Sequence, residues 1–223
     1  MNTPESDQLF FKYISDRVAW TKGFLPEPFR DMSFDRLDEL ASASLPAVAG
    51  VRDWTQGVRA GARVPLILLG PGTATTPLAC CAWNDLAPSV PDRNRYDDAL
   101  LCGTADNIAF VRGDRLPEIL RPPSPWNARD GSVGNAEHLR TCRLCVLADL
   151  DLHPRWSDSS RLLCGLVKDR VSTHALPTIL TLDMPLDAFA RRHGGYGKTI
   201  CDALREAGGV FAGVAAPGAR SNA

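Results

Sequence analysis

Residues Leu66–Ala79 read LILLGPGTATTPLA. The aliphatic run fits a strand buried on both faces, because a parallel sheet covered by helices leaves no polar alternation along its strands. Gly, Pro and Gly then end the strand. Thr76–Pro77 reads as a helix start, since proline lacks an N–H that the first turn leaves unused. Strand, glycine turn and helix N-terminus in that order outline a loop that cradles phosphate with backbone N–H groups. The full pattern, G-x-x-x-x-G-K-[ST], also requires a lysine on the β/γ oxygens and a hydroxyl on magnesium. Aligned on the helix start Leu78–Ala79, the hydroxyl position is Thr76, the lysine position is Thr75 and the second glycine position is Ala74. The first glycine would fall on Leu69, so the loop is one residue short unless a gap is placed beside Pro71. Gly70, Gly72, Thr73, Thr75 and Thr76 are therefore the candidate nucleotide contacts. A threonine in place of lysine removes a full positive charge. Charged hydrogen bonds contribute about 1.5–3 kcal/mol each, which corresponds to a loss of at least about tenfold in affinity.

Outward from this stretch lie four more apolar runs, Ile108–Val111, Leu144–Ala148, Thr178–Leu182 and Val210–Val214, with the first run extending over Val64–Leu69. Helical patterns separate them at 76–86, at 157–170, with Leu162, Leu163, Leu166 and Val167 on one face, and at 196–207, ended by Gly208–Gly209. Strands alternating with helices predict an α/β layered fold. Its five-stranded parallel sheet should have Leu66–Leu69, Leu144–Leu147 and Thr178–Leu182 inside. Ahead of it, residues 9–20 place Phe10, Ile14 and Val18 on one helical face. LPEPFRDMSFDRLDEL reads as a loop entering a helix capped by Ser33. Stretches 87–106 and 121–137, rich in Pro, Gly, Asn and Asp, read as surface loops. The implied division is a short helical extension and lead-in over 1–60, a core over 61–216 and a flexible tail over 217–223.

With 223 residues, 44% hydrophobic and 23% charged, the chain can bury a full core. A net charge of −1 gives no global drive toward nucleic acid or an anionic surface. The apolar runs are too short to span a bilayer, and MNTPESDQ is not a signal peptide. The expected location is cytoplasmic, with no membrane partner. Seven cysteines, mostly inside apolar segments, read as reduced buried thiols. Cys142 and Cys145 form a C-x-x-C with no second pair to complete a zinc site, and on a strand they would point to opposite faces. No resident metal is expected; Thr76 and Asp149 are the weak candidates. His138, His153, His174 and His193 read as surface or loop residues, Arg112–Gly113–Asp114 as a turn. Ser159 and Ser160 have no His/Asp constellation near them in sequence, so nucleophilic hydrolysis is not supported.

A second signal is CRLCVLADLDLHPRW, an apolar strand ending in acids. Nucleotide-hydrolysing folds place there an aspartate for magnesium and an acid for the attacking water. At this point the chain resembles the helicase-loader branch of the AAA+ ATPases, the DnaC/IstB-like proteins. Their strand ends in two aspartates followed by Leu-Gly. LADLD matches with Ala148 at the first aspartate, Asp149 at the second and Asp151 at the glycine. VKDRV, LPTILTLDMPLDAF and YGKTICDALREAGG are similar to that family's next helix, sensor-1 strand and arginine-bearing helix, and LPEPFRDMSFDRLD to its lead-in. The resemblance spans roughly residues 26–214 and is most specific over 165–208.

The resemblance implies a three-layer P-loop NTPase fold, AAA+-like, without a substantial lid domain. It also implies a role in DNA replication beside a replicative helicase or a related AAA+ ring. The departures imply altered chemistry. Asp183 stands at the usual sensor-1 asparagine, and Thr199 and Ala203 at the two arginines of the late helix. Thr75, Ala148, Asp183, Thr199 and Ala203 together replace most of the charge stabilisation that phosphoryl transfer depends on. Asp149 and Asp183 are vestigial catalytic positions, and the cofactor expectation is none, or weakly bound ATP/ADP with Mg. Alternatives are an active or partner-dependent ATPase of the helicase-loader or IstB transposition type, and a scaffold or inhibitor capping a related ring. Arg112, Arg115, Arg121, Arg129, Arg140 and Arg143 concentrate between the second and third strands, so Arg112, Arg115 and Arg140 are candidates for weak single-stranded DNA contact.

Overall fold

The computed structural model describes residues 18–19, 22–40, 45–90, 108–120, 136–154 and 157–214. Phe10 and Ile14, Arg121 and Arg129, most of the two long loops and the tail lie outside the described residues. The strands are β1 (Leu66–Leu69), β2 (Ile108–Arg112), β3 (Leu144–Ala148), β4 (Thr178–Leu182) and β5 (Val210–Gly213). They form one parallel sheet in the order β2-β3-β4-β1-β5. The three runs expected inside are inside. Every residue of β3 and β4 is buried, whereas edge strands β2 and β5 are part exposed. β1 begins two residues later than its apolar run because Pro65 has no N–H to donate. The Pro65 carbonyl still accepts from Val210 N–H at 2.9 Å.

The helices are α1 (Phe34–Leu40), α2 (Leu45–Arg59), α3 (Gly72–Leu86), α4 (Leu116–Leu120), α5 (Ala136–Thr141), α6 (Ser157–Lys168), α7 (Leu186–Arg192) and α8 (Gly194–Glu206). Successive strand residues face opposite sides, which divides the core into two layers. Leu66, Leu68, Val146 and Ile179 pack with α1, α2 and α3 around the fully buried Trp83, whose ring meets Phe110 edge-on at 5.7 Å. Ile67, Cys145, Leu147 and Leu180 pack on the other face with α6, α7 and α8. Ser33 Oγ accepts from Arg36 N–H at 3.3 Å, the expected cap of α1.

Four local expectations are corrected. First, α3 starts at Gly72, not Thr76, because the Pro71 carbonyl accepts from Ala74 and Thr75 N–H at 2.8 and 3.0 Å. Pro77 therefore sits inside the helix. Second, the helix expected to run to residue 170 passes into a π turn over Asp169–Thr173. That turn carries Arg170 inward, where it is fully buried. Its guanidinium donates to Leu139 O (2.6 Å), Cys142 O (3.0 Å), Pro177 O (3.0 Å) and Thr178 Oγ1 (2.9 Å). Third, Cys142 precedes β3, so its thiol lies with that of Cys145 in the same core layer and the two are hydrogen-bonded. The S–H from Cys145, with the charge of Arg170 at 3.2 Å, brings the Cys142 thiol down to about 6 against the effect of burial. Cys145 is pushed well up, first by that same bond and then by burial. Fourth, His153 and His193 are buried, not surface residues.

Candidate functional site

Parallel pairing brings the C-terminal ends of β1, β3 and β4 side by side, the position where open α/β sheets hold ligands. Three hydrogen bonds fix this edge. Gly70 N–H donates to Leu182 O at 2.9 Å, Val214 N–H to Leu69 O at 2.7 Å and Asp149 N–H to Thr181 Oγ1 at 2.7 Å. Gly70 is required here, since its φ is +148° and a Cβ would lie 2.1 Å from Val214 O. On the far side, Gly113 N–H donates to Ala148 O at 2.7 Å, and a Cβ on Gly113 would lie 2.4 Å from Asp149 O. The Arg112–Gly113–Asp114 turn thus packs directly on the end of β3.

Asp149 is the centre of the arrangement. Its backbone is left-handed, φ 51°, a costly conformation for a residue with a Cβ. Its Oδ1 accepts from Thr76 Oγ1 at 3.3 Å and from Thr181 Oγ1 at 3.5 Å. The same oxygen is 3.5 Å from the point that a Cβ on Gly72 would take. Arg112 Nε lies 3.6 Å from Oδ2. Burial raises the carboxyl pKa, and Asp151 adds to the rise; Arg112 and the two hydroxyls oppose it. The weak metal candidates Thr76 and Asp149 are therefore brought into contact, although the described residues contain no cluster of three metal-ligating side chains. It is Asp149, not the position of Ala148, that meets the hydroxyl assigned to magnesium, so the loss at Ala148 does not remove that acid.

Thr75, at the lysine position, is buried and its Oγ1 donates to Pro71 O at 3.3 Å, turned into its own helix. Thr73 is exposed at the helix start, and Pro71 supplies no side-chain cap. Asp183 is exposed; its N–H donates to Asp151 Oδ1 at 3.0 Å, which ties the ends of β3 and β4 together. On α8, Ala203 is 5% exposed and packs in the core, so this position does not face a neighbouring subunit. Thr199 donates back to Gly195 O at 2.9 Å. Arg205 is exposed beside Asp202 and Asp187.

The basic candidates separate into two places. Arg112 and Arg115 lie at the C-terminal end of β2 and share a cleft of about 510 Å³ with Phe24, Phe110 and Ile119. Arg140, on α5, precedes β3 and pairs with Asp169 at 3.0 Å, so it lies at the opposite edge of the sheet. Thr181 was not singled out from sequence, yet the signal was there: TILTL holds two hydroxyls in a wholly buried strand, and each meets a charged group. The pairing of His153 and Ser159 was also missed. His153 Nδ1 is 3.2 Å from Gly113 O and Nε2 is 2.7 Å from Ser159 Oγ. Donation from Nδ1 to the carbonyl leaves Nε2 to accept from the hydroxyl, which has the form of a catalytic dyad. Both side chains are buried, however, and burial lowers the pKa of the imidazole, so the pair locks the start of α6 to the turn after β2.

No protein-family model matches the chain, and no curated protein matches it. Solved structures do. The crystal structure of DnaI superposes with a TM-score of 0.63 at 15% identity, covering 90% of this chain and 99% of that one. The replication initiator DnaA, bound to AMPPCP and single-stranded DNA, gives 0.56 at 11% identity over 86% of this chain and 51% of its own. A DNA replication initiation factor gives 0.54 at 12% identity over 86% of this chain and 50% of its own. At these identities the likeness is one of fold alone: a five-stranded parallel α/β sheet covered by helices on both faces.

Whether these residues suit the nucleotide that such a fold implies can be tested on the loop itself. Wrapping a β-phosphate takes several successive free N–H groups and a lysine. Between the last residue of β1 and the first of α3 stand only Gly70 and Pro71, and proline has no N–H. Gly70 N–H is already bonded to Leu182. The carboxylate of Asp149 lies beside the helix start that would face phosphate. The residues present do not fit a triphosphate.

Proposed function

We propose that this chain acts in DNA replication through contact with another protein, a replicative helicase or a related AAA+ ring, and not through turnover of ATP. The observation that carries this reading is the junction Gly70–Pro71, too short to cradle phosphate, with Thr75 turned inward at the lysine position. What the chain presents instead is the framework around its altered site. The surface of α8 presents Tyr196, 40% exposed, and on another face Lys198, paired with Asp202 at 2.9 Å. Arg112 and Arg115 with Phe24 and Phe110 combine charge with ring faces, a setting for weak, salt-sensitive contact with single-stranded DNA. The test is sedimentation of the full chain with a purified replicative helicase and, separately, with a purified helicase loader. A complex with either, kept in R112E/R115E while DNA contact falls, supports the reading. Tight single-stranded DNA binding at physiological salt with no complex replaces it by a DNA-binding module.

A second reading rests on the contact between Thr76 and Asp149. These are the residue types that hold magnesium in P-loop ATPases, and their meeting favours an ATPase that a partner completes. Phosphate release that appears only with the partner and disappears in T76A would select it.

A further inference from the structure

We propose that a cleft at the N-terminal edge of the sheet, remote from the phosphate-loop end, docks an acidic peptide segment bearing aliphatic side chains. The cleft encloses about 500 Å³ between the end of α2, the end of α3 and the turns that enter β3 and β4. Its walls are Val58, Leu86, Val90, Leu144, Leu176 and Pro177. Three arginines, Arg59, Arg63 and Arg143, stand around it. Arg59 Nη2 donates to Asp85 O and Oδ1, both at 2.8 Å, which accounts for the acid nearby. Arg63 and Arg143 are exposed and have no carboxylate partner among the described residues.

Behind the cleft, the buried guanidinium described above ties its lining turns together. Arg170 holds the Cys142 carbonyl, next to Arg143, and the Pro177 carbonyl, so the turns on either side are fixed to one rigid plane of donors. Ala175, immediately before Leu176, is held at φ 47°, and Leu176 N–H donates to Arg170 O at 2.8 Å. A left-handed alanine persists only where the surroundings over-determine it. Leu176 and Pro177 are thereby presented as a fixed apolar wall.

The chemistry selects the occupant. Two arginine forks match carboxylates in bidentate geometry, and aliphatic walls take aliphatic side chains. No aromatic residue lines this cleft among the described residues, in contrast to the Phe24/Phe110 cleft, so the stacking platform that single-stranded nucleic acid uses is missing. An acidic, leucine-bearing peptide satisfies both features. The inference does not depend on the fate of ATP at the other edge.

The test titrates the full chain, at physiological salt, into a fluorescein-labelled peptide of alternating glutamate and leucine and follows anisotropy. Saturable binding is expected, weakened at least about tenfold in R63E/R143E and unchanged in R112E/R115E. The charge-reversed variant should in turn prefer a lysine–leucine peptide, which shows that it remains folded. A glutamate–serine peptide should bind more weakly than the glutamate–leucine one, because the walls stay unfilled. Absence of binding, equal binding by R63E/R143E, or displacement of the peptide by oligothymidylate would each overturn the proposal, the last by assigning the cleft to nucleic acid.

Discussion

At the N-terminal ends of the strands, a buried arginine spends its N–H groups on three carbonyls, the hydroxyl of Thr178 and the sulfur of Cys142. At the C-terminal ends, an aspartate in a left-handed backbone accepts from two threonines, faces one arginine at 3.6 Å, and is pushed toward its neutral form by burial. Both are polar groups tied into the same sheet, but the first is fully hydrogen-bonded while the second is only partly compensated. Polar residues that hold a fold are matched completely; a polar residue left partly unmatched is kept at a cost in stability. Left-handed backbone occurs at both ends, at Asp149 (φ 51°) and at Ala175 (φ 47°), so what separates the ends is how completely the buried polar group is matched.

The comparison breaks if the two ends respond alike to mutation. Arg170→Met should destabilise by about 3–5 kcal/mol, as removal of one partner from a buried charged network does, because it strands the carbonyls of Leu139, Cys142 and Pro177. Urea unfolding monitored by tryptophan fluorescence measures this. A loss below about 1 kcal/mol would place Arg170 among the dispensable groups.

Acid should weaken the fold through one group at each end, Cys142 before β3 and His153 against the turn after β2. The Cys142 thiol lies near 6 in the folded chain and at its ordinary 9.0 when unfolded. Between these values the unfolded state binds more protons, so the contribution to stability is full above about 9 and is lost as the pH falls through about 6. His153 acts in the same direction: its pKa is lowered in the fold, so below its ordinary 6.5 the unfolded chain takes up a proton that the native state refuses. Urea midpoints should fall on acidification, more steeply in the wild type than in C142A. Equal slopes in the two proteins would remove Cys142 from the account.

The smallest effect sharpens the contrast. Asp149→Gly removes a left-handed side chain, which costs about 1–2 kcal/mol, against the entropy that glycine loses on folding, about 0.5–1 kcal/mol. The expected outcome is a small gain in thermal stability. A clear loss would mean that Asp149 is structural and would erase the difference between the ends.

Most of the fold was legible because the interior strands are continuous apolar runs, and LCVLA and TILTL need no tertiary information to be read as buried. The site was less so. The start of α3 was misplaced because Thr76–Pro77 has the chemistry of a first turn, while the Pro71 carbonyl captures two N–H groups upstream of it. Arg112, Arg115 and Arg140 all fall between the second and third strands in sequence, but the crossover joining these parallel strands returns the chain from the C-terminal to the N-terminal end of the sheet, and so their shared patch dissolved. Ala203 is matched to an arginine position by a family pattern, which does not report that this helix buries it. The contacts of His153 with Ser159 and of Arg170 with Cys142 are side-chain meetings across turns, which no periodicity announces.

The central proposal is that the edge carrying Gly70–Thr76 does not handle ATP. Its most direct test is calorimetric titration of the purified full chain with ATP and magnesium at millimolar concentration, followed by phosphate release on the same sample. The account predicts no saturable heat and no release above buffer, in the wild type and equally in T75K, because residue 75 is buried and directed at Pro71 O. Saturable binding with steady release, abolished by T76A, would contradict it.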